Sequence, residues 1–222
     1  MNQNRHTLRA FDASLDSLRS EVLGMGAAVT MNLERAVHGL LMENMDECNS
    51  VIADDETVDQ YEKDIDVMAM SLMVRFNPVA TDLRMVISSM NVARSLERIS
   101  DHAVNIARRA RKILRAGENE KVKMVEPLYT MAALELRDAI TAYADGSVER
   151  ALGLHDKDAE LDRAQKKLAK GISKLIEGQE GNVVQLIHLL FVLRSLERVG
   201  DLAVNIGEEV VFIESAEDIR HQ

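Results

Sequence analysis

The stretch V-A-R-S-L-E-R-I-S-D-H-A-V-N-I at residues 92–106 decides the fold, because residues 192–206 repeat it as V-L-R-S-L-E-R-V-G-D-L-A-V-N-I. The two copies align without gaps at an offset of 100 residues and are identical at 11 of 15 positions. A repeat of this length near the end of each half indicates two copies of one structural unit. Packing alone needs only apolar residues of suitable volume, so the repeated Glu, Asp, Asn and Arg residues indicate a role beyond packing.

The composition predicts an all-α protein. The chain has 222 residues, of which 46% are hydrophobic, 3% are aromatic and only two are proline. Long helices suit so little proline, because proline breaks a helix, whereas a β-rich chain needs many Gly and Pro turns. The core must therefore be built mainly from aliphatic residues and methionine.

Apolar residues at three- and four-residue spacing predict six long helices. The expected ranges are 7–44, 46–76, 81–116, 125–145, 147–177 and 183–214. The polar segment G-E-N-E-K-V-K at residues 117–123 is the expected joint between the halves. Because short connections favour antiparallel neighbours, we expect two similar three-helix bundles, at residues 1–117 and 118–222.

The charge of the chain argues against two classes of partner. The net charge is −10 and the isoelectric point is near 5.1. Nucleic acid and anionic membrane surfaces are therefore unfavourable partners, whereas cations and basic proteins are favourable ones. The N-terminus lacks the apolar stretch of a signal peptide, and no run reaches membrane-spanning length. We therefore expect a cytoplasmic protein that reaches the membrane only through partners.

The repeated polar residues form a row along each copy of the motif. At about 100° per residue, they lie roughly 130° to 180° from the centre of the apolar face, so we expect a solvent-facing row. Its members are Glu97, Asp101 and Asn105 in the first half and Glu197, Asp201 and Asn205 in the second. Acids four residues apart repel each other unless a cation lies between them. A solvated helix face is the plain alternative, but surface charges without a role would differ more between duplicated halves.

The middle helix of each half adds a second acid-x-x-x-acid pair. These pairs are Asp55 with Asp59 and Asp158 with Asp162. If the middle and last helices of a half lie side by side, four carboxylates converge between them. Carboxylate oxygens suit Mg²⁺, Mn²⁺, Ca²⁺ or iron better than copper, and Zn²⁺ usually takes His or Cys as well. The spacing therefore predicts a metal site in each half.

Both copies of the motif resemble the paired (E/D)-R-I-G-D-x-A-x-N-I signature of the PhoU family, which regulates phosphate uptake. The segment P-V-A-T-D-L-R at residues 78–84 is similar to that family's P-x-A-x-D-L-R. The resemblance covers nearly the whole chain and implies two three-helix bundles without enzymatic activity. It implies negative regulation of the phosphate-starvation response, through contact with the ATPase subunit of the phosphate ABC transporter and with a sensor histidine kinase. A homodimer is also implied.

The resemblance further implies metal ions, with the identity open among Mg, Mn, Fe and Zn. The implied ligands are Asp55, Asp59, Glu97 and Asp101 in the first half and Asp158, Asp162, Glu197 and Asp201 in the second, with Asn105 and Asn205 contacting metal or bound water.

The two motifs depart from each other in ways that predict unequal sites. Ser100 stands where the family usually has glycine, whereas Gly200 keeps it. The residues after each motif are basic in the first half and acidic in the second, at Arg108, Arg109, Arg111, Glu208 and Glu209. We therefore expect the second site to bind cations more tightly.

Two other function classes compete with this interpretation. A ferritin-like di-metal enzyme needs Glu-x-x-His on two helices, and none of the six histidines has a glutamate three residues before it. A metal-free helical adaptor is the second alternative. The sequence has no phosphate-binding Gly-rich loop and no Ser or Cys nucleophile with a credible base nearby, so we expect no catalysis.

Overall fold

A computed structural model describes residues 2–219, with side chains from residue 9 onward. The regular structure of these residues is entirely helical, which confirms the all-α prediction. The elements are α1 (Asn2–Leu41), α2 (Met45–Ala53), α3 (Asp55–Phe76), α4 (Ala80–Arg115), a 3₁₀ turn (Glu120–Val125), α5 (Glu126–Asp145), α6 (Val148–Glu177) and α7 (Val183–Ser215). None of these helices combines the length and the apolar character needed to cross a membrane.

The predicted second helix is divided into α2 and α3 at Asp54. Asp46, where the predicted second helix begins, lies inside the first turn of α2, and Asn44 caps this helix by accepting a hydrogen bond from the Glu47 N–H at 3.1 Å. The periodicity does not reveal the division, because Val51 and Val58 are buried on either side of it at helical spacing.

Each half forms a bundle of its long helices, as predicted. In the first half α1, α3 and α4 pack against one another, and α2 packs against α1 and α4. In the second half α5, α6 and α7 do the same. Extensive packing of α4 against α7 joins the halves around one apolar core. The boundary between residues 117 and 118 stays a prediction.

The repeated motifs lie on α4 and α7, the two helices at the centre of the molecule. Leu96 and Ile99 of the first motif are fully buried, and so are Leu196 and Val199 of the second. The apolar face of each motif therefore packs into the core. Acids of the polar row lie beside acids of the neighbouring helix of the same half, α3 for α4 and α6 for α7.

Buried hydrogen bonds also connect the halves. The Gln185 side chain is 3% exposed, and its Nε2 donates to the carbonyls of Ile113 at 2.9 Å and Gly117 at 2.7 Å. Ile113 lies in the last turn of α4, where its carbonyl also accepts the Ala116 N–H at 3.0 Å, and Gly117 lies two residues after the helix ends. The Ser89 and Tyr143 hydroxyls, 2.7 Å apart, connect α4 with α5 in the same way.

We predict that Gln185→Met lowers the free energy of unfolding by about 1–3 kcal/mol, because the Gly117 carbonyl loses its side-chain donor and the Ile113 carbonyl keeps only the Ala116 N–H. Urea unfolding followed by circular dichroism measures this change. Gln60→Met is the matched control, since exposed Gln60 bonds only Asp64 within its own helix and its loss costs about 0.5 kcal/mol or less. Equal losses in the two variants would contradict the assigned role of Gln185.

Candidate functional site

The packing of α6 against α7 brings together the four carboxylates predicted for the second half, Asp158, Asp162, Glu197 and Asp201. All four are half-buried between the two helices. Burial and then the charges of Asp201, Asp162 and Glu197 raise the pKa of Asp158 to about 6. We call this group of four residues the second seam. The other three acids lie close enough to Asp158 to oppose its ionisation.

Gly200 allows α7 to approach the other two helices of its half at the second seam. A Cβ atom on Gly200 would lie 2.4 Å from Leu161 Cδ2, 2.8 Å from Glu135 Oε2 and 2.9 Å from Asp158 Oδ1. Real Cβ atoms essentially never approach other atoms so closely. The glycine therefore leaves the space that the two carboxylate oxygens occupy.

Glu135 of α5 is a residue of this site that the sequence reasoning missed. It is 1% exposed, and its Oε2 accepts no hydrogen bond from the described residues. Burial and then the Asp158 charge raise the pKa of Glu135 to about 8. A signal was present in the sequence, because Glu135 takes a place in the apolar spacing that runs from Ala132 to Ala139.

Three buried carboxylate oxygens of this region have no hydrogen-bond donor among the described residues: Glu135 Oε2, Asp158 Oδ1 and Glu197 Oε2. Arg198 Nε lies 3.6 Å from Glu197 Oε2, which is too far for a hydrogen bond. The same arginine donates instead to Asp201 Oδ2 at 2.6 Å. Arg198 therefore pairs with Asp201 and lies at ion-pair distance from Glu197, and Lys166 binds Asp162 at 2.9 Å. Glu135 Oε2 and Asp158 Oδ1 are left without a described partner.

Asp138, one turn after Glu135 on α5, is a buried acid whose carboxylate is paired with basic side chains. It is 8% exposed and binds Arg150 Nη1 at 3.0 Å and Lys157 Nζ. Hydrogen bonds and charges from these two partners outweigh the effect of burial and lower the pKa of Asp138. Glu135 lacks any such partner and its pKa shifts in the opposite direction.

The first half brings its predicted carboxylates together where α3 packs against α4. Burial and then the charges of Asp101, Glu62, Asp59 and Asp55 raise the pKa of Glu97 to about 7. We call Asp55, Asp59, Glu97 and Asp101 the first seam. Glu62 joins them as a further acid of α3.

The centre of the first seam differs from that of the second. Ser100, at the position of Gly200, donates its hydroxyl to Asp55 Oδ1 at 3.5 Å. Burial and two neighbouring acids raise the pKa of Asp55, while the Arg108 charge and this hydrogen bond oppose the rise. An offset of 103 residues relates Asp55 to Asp158. At the same offset, buried Asn32 is the residue of the first half that corresponds to Glu135. The first seam therefore has a hydroxyl and an amide where the second has a glycine and a carboxylate.

Each half also contains an ion pair between its first long helix and the segment packed beside it, and the two pairs correspond at the same offset of 103 residues. Arg35 of α1 binds Asp54 at 2.6 Å in the first half. In the second half Asp138 of α5 binds Lys157 of α6 at the equivalent positions. The contact is kept with its two charges exchanged.

The prediction of a solvent-facing polar row is wrong for both glutamates and for Asp201, which is half-buried in the second seam. Glu97 and Glu197 are half-buried, because the side chains of α3 and α6 cover them. Asp101, Asn105 and Asn205 are exposed, as expected. No described hydrogen bond brings either asparagine into a seam, so their predicted contact with metal or water stays a prediction.

The metal-binding potential of the seams can be judged from their donor atoms. Among the described side chains, no group of three or more His, Cys, Asp or Glu residues is placed to hold a metal ion together. The second seam nevertheless presents buried carboxylate oxygens without partners, which are the hard donors that Mg²⁺, Mn²⁺ and iron take in proteins. Its residues fit such a cation if their side chains rotate toward it.

The sequence of the whole chain agrees with that of a known family in both halves. The PhoU domain matches residues 22–110 and again residues 125–210, and the two matches begin 103 residues apart. The chain belongs to the PhoU family. The family resemblance of the two motifs is thereby confirmed.

Relatives of this PhoU-family chain cover nearly its whole length. It is 32% identical over 217 residues to a phosphate-specific transport system accessory protein PhoU homolog of Pseudomonas putida, which covers 97% of this chain and 85% of the relative. A homolog of the same description from Pseudomonas aeruginosa is 30% identical, with 97% and 90% covered.

Solved PhoU structures have the same fold as this chain. The crystal structure of PhoU from Pseudomonas aeruginosa superposes with a TM-score of 0.88 at 30% identity, over 93% of this chain and 100% of that one. The phosphate transport system regulatory protein PhoU from Streptococcus pneumoniae gives a TM-score of 0.87 at 25% identity, over 94% and 99%. The predicted architecture of two three-helix bundles is therefore confirmed for a PhoU-family chain.

We predict that Gly200→Ala destabilises the protein by about 1–3 kcal/mol, because its Cβ would overlap the fully buried Leu161. Ser100→Ala is the matched control at the equivalent position, and we expect it to cost less than about 1 kcal/mol, since only a long hydrogen bond is lost. Thermal and urea unfolding measure both variants. Equal effects would show that the close approach at Gly200 is not needed.

We predict that Glu135→Gln stabilises the protein in a chelator when the pH is high. The pKa of Glu135 is about 8 in the folded protein against an ordinary value of 4.5, so its carboxylate costs stability progressively as the pH rises from 4.5 through 8. The neutral amide avoids this cost. Urea unfolding at pH 5, 7 and 9 should give a gain that reaches about 2 kcal/mol at pH 9 and is smaller at pH 5. A gain independent of pH would refute the assignment.

Proposed function

We propose that this protein is an accessory regulator of phosphate transport that acts by binding partner proteins and not by catalysis. The observation that carries the proposal is the PhoU-domain match in both halves, each of which contains one copy of the motif. Relatives over nearly the whole length are named as accessory proteins of a phosphate-specific transport system. The proposal requires no catalytic step, because a regulator acts by binding its partner proteins with different affinity in their different states.

In the proposed action, the protein represses the phosphate-starvation response when phosphate is plentiful. It would contact the ATPase subunit of the phosphate ABC transporter and a sensor histidine kinase in the cytoplasm, as a homodimer. Binding that differs between the transporting and idle states of one partner would then change its affinity for the other, which is an allosteric coupling. The acidic surface, with a net charge of −10, favours basic surfaces on these partners.

Metal binding at the two seams is part of the same proposal. The candidate ions are Mg²⁺, Mn²⁺, iron and Zn²⁺, and the oxygen-only donor set favours the first three. Support comes from the raised pKa values of Glu97 and Asp158 and from the unpartnered oxygens of the second seam. A cation would replace repulsion between the acids with attraction, and so would stabilise α3 against α4 and α6 against α7.

A metal-free adaptor is the second candidate. The observation that favours it is that the described side chains contain no group of three or more candidate ligands placed around one ion. In that case the raised pKa values mean that the seams hold protons in place of metal. The ferritin-like enzyme is disfavoured, because the chain belongs to the PhoU family and has no Glu-x-x-His pair.

The regulatory role is tested with an alkaline phosphatase reporter of phosphate starvation in a deletion strain grown in excess phosphate. We expect high reporter activity on deletion and low activity on complementation with the wild-type chain. A second complementing chain carries Glu97→Gln, Asp101→Asn, Glu197→Gln and Asp201→Asn. If the seams act in regulation, this chain leaves the reporter high although it is expressed and folded.

The control replaces an acid pair of equal spacing that lies outside the seams. Asp156 and Glu160 are four residues apart on α6 and are both exposed, so Asp156→Asn with Glu160→Gln should repress like the wild type. A reporter that stays low after deletion would refute the regulatory role. Repression by the seam variant would instead leave regulation in place without a need for the seams.

We predict that the second seam binds cations at least tenfold more tightly than the first, because the first has Arg108 nearby and the second has an additional buried carboxylate. Titration of the chelator-treated protein with Mn²⁺, followed by calorimetry, compares two variants. One carries Glu97→Gln and Asp101→Asn, and the other carries Glu197→Gln and Asp201→Asn. Equal affinity of the two remaining seams would contradict this expectation.

A further inference from the structure

We propose that Glu135 is an additional cation ligand in the second half, so that this metal site is enclosed by three helices, α5, α6 and α7. The inference rests on the proposed metal binding at the second seam. It assigns a role to a residue outside both the repeated motif and the acid-x-x-x-acid pairs.

The position of Glu135 is the first argument. Its Oε2 and the Oδ1 of Asp158 lie 2.8 Å and 2.9 Å from the same point, the place that a Cβ atom of Gly200 would take. Both oxygens are buried and accept no hydrogen bond from the described residues. Glu135 itself is 1% exposed. Carboxylates from α5 and α6 therefore converge beside α7, where they and the Leu161 side chain fill the place that a side chain at residue 200 would take.

The second argument is that no basic side chain of the described protein satisfies these oxygens. Lys157, the basic residue whose charge acts on Glu135, binds Asp138, and so does Arg150. A buried carboxylate without a partner is costly, and its usual remedies are protonation, an ion pair or a metal. A single cation would bind Glu135 and Asp158 together with further acids of the second seam once their side chains turn toward it, whereas one proton serves at most two of these oxygens.

The third argument is the contrast with the first half. Buried Asn32 replaces Glu135 there, and Ser100, whose hydroxyl donates to Asp55, stands at the position of Gly200. The first seam therefore lacks the additional charge and has a side chain where the second has none. Because the affinity of a hard cation rises with the number of charged oxygen ligands, Glu135 gives a structural reason for unequal binding by the two halves.

The test uses the full chain with the first seam inactivated by Asp55→Asn, Asp59→Asn, Glu97→Gln and Asp101→Asn. This parent and its Glu135→Gln derivative are stripped with chelator and titrated with Mn²⁺ by calorimetry. We expect Glu135→Gln to weaken Mn²⁺ binding at least tenfold. Glu135→Met, which removes every oxygen from the side chain, should weaken binding at least as much.

Two controls separate ligation from fold and from general charge. Thermal unfolding without metal should show Glu135→Gln at least as stable as the parent, so that lost binding does not reflect lost structure. Glu160→Gln removes one negative charge from an exposed position of α6 and should change the affinity less than twofold.

In addition, water-proton relaxation by bound Mn²⁺ should indicate one more bound water after Glu135→Gln, because water takes the vacated ligand position.

The outcomes distinguish this inference from the proposals beneath it. Unchanged Mn²⁺ affinity and relaxation in Glu135→Gln would overturn the role of Glu135 and leave the second seam as a metal site of α6 and α7 alone. A parent that binds no Mn²⁺ would overturn metal binding at this seam and the role of Glu135 with it. The regulatory function stands or falls separately, on the reporter experiment.

Discussion

The close approach of α7 to α5 and α6 at Gly200 is the constraint on which the second half depends. It places the motif's carboxylates against those of α6, and it packs Leu161 and two buried oxygens into the place that a side chain at residue 200 would take. Helices packed this closely across like charges need a proton or a cation between them. The close helix packing at Gly200 thus also makes the stability of the second half depend on whether a proton or a cation is bound between the carboxylates.

Much of the fold can be read from the sequence, because duplication and helical periodicity are long-range signals. The repeat at residues 92–106 and 192–206 predicts two equivalent halves, and the scarcity of proline predicts long helices. The division at Asp54 was not predictable in the same way. It interrupts the backbone for a single residue while the apolar spacing continues from α2 into α3, so the pattern contains no trace of it.

The candidate site was predictable where its residues repeat and not where they do not. The acids of both seams recur in both halves, and each set lies together in the structure. Glu135 has only Asn32 as its counterpart, so no repetition marks it. Its importance comes from burial against Asp158, which is a property of three packed helices. Half-burial of Glu97 and Glu197 escaped prediction for the same reason, since a helical projection shows one helix without its neighbours.

Each half has an ion pair between its first long helix and the segment packed beside it, and the charges of this pair are exchanged between the halves. This exchange has a consequence for assembly. Two similar halves in one chain risk exchanging helices as they fold, because their apolar faces are nearly interchangeable. If α1 took the place of α5, Arg35 would face Lys157, and in the reverse exchange Asp138 would face Asp54. Each wrong pairing sets like charge against like, whereas each correct pairing is attractive. The exchanged charges thus favour packing of α1 and α5 within their own halves.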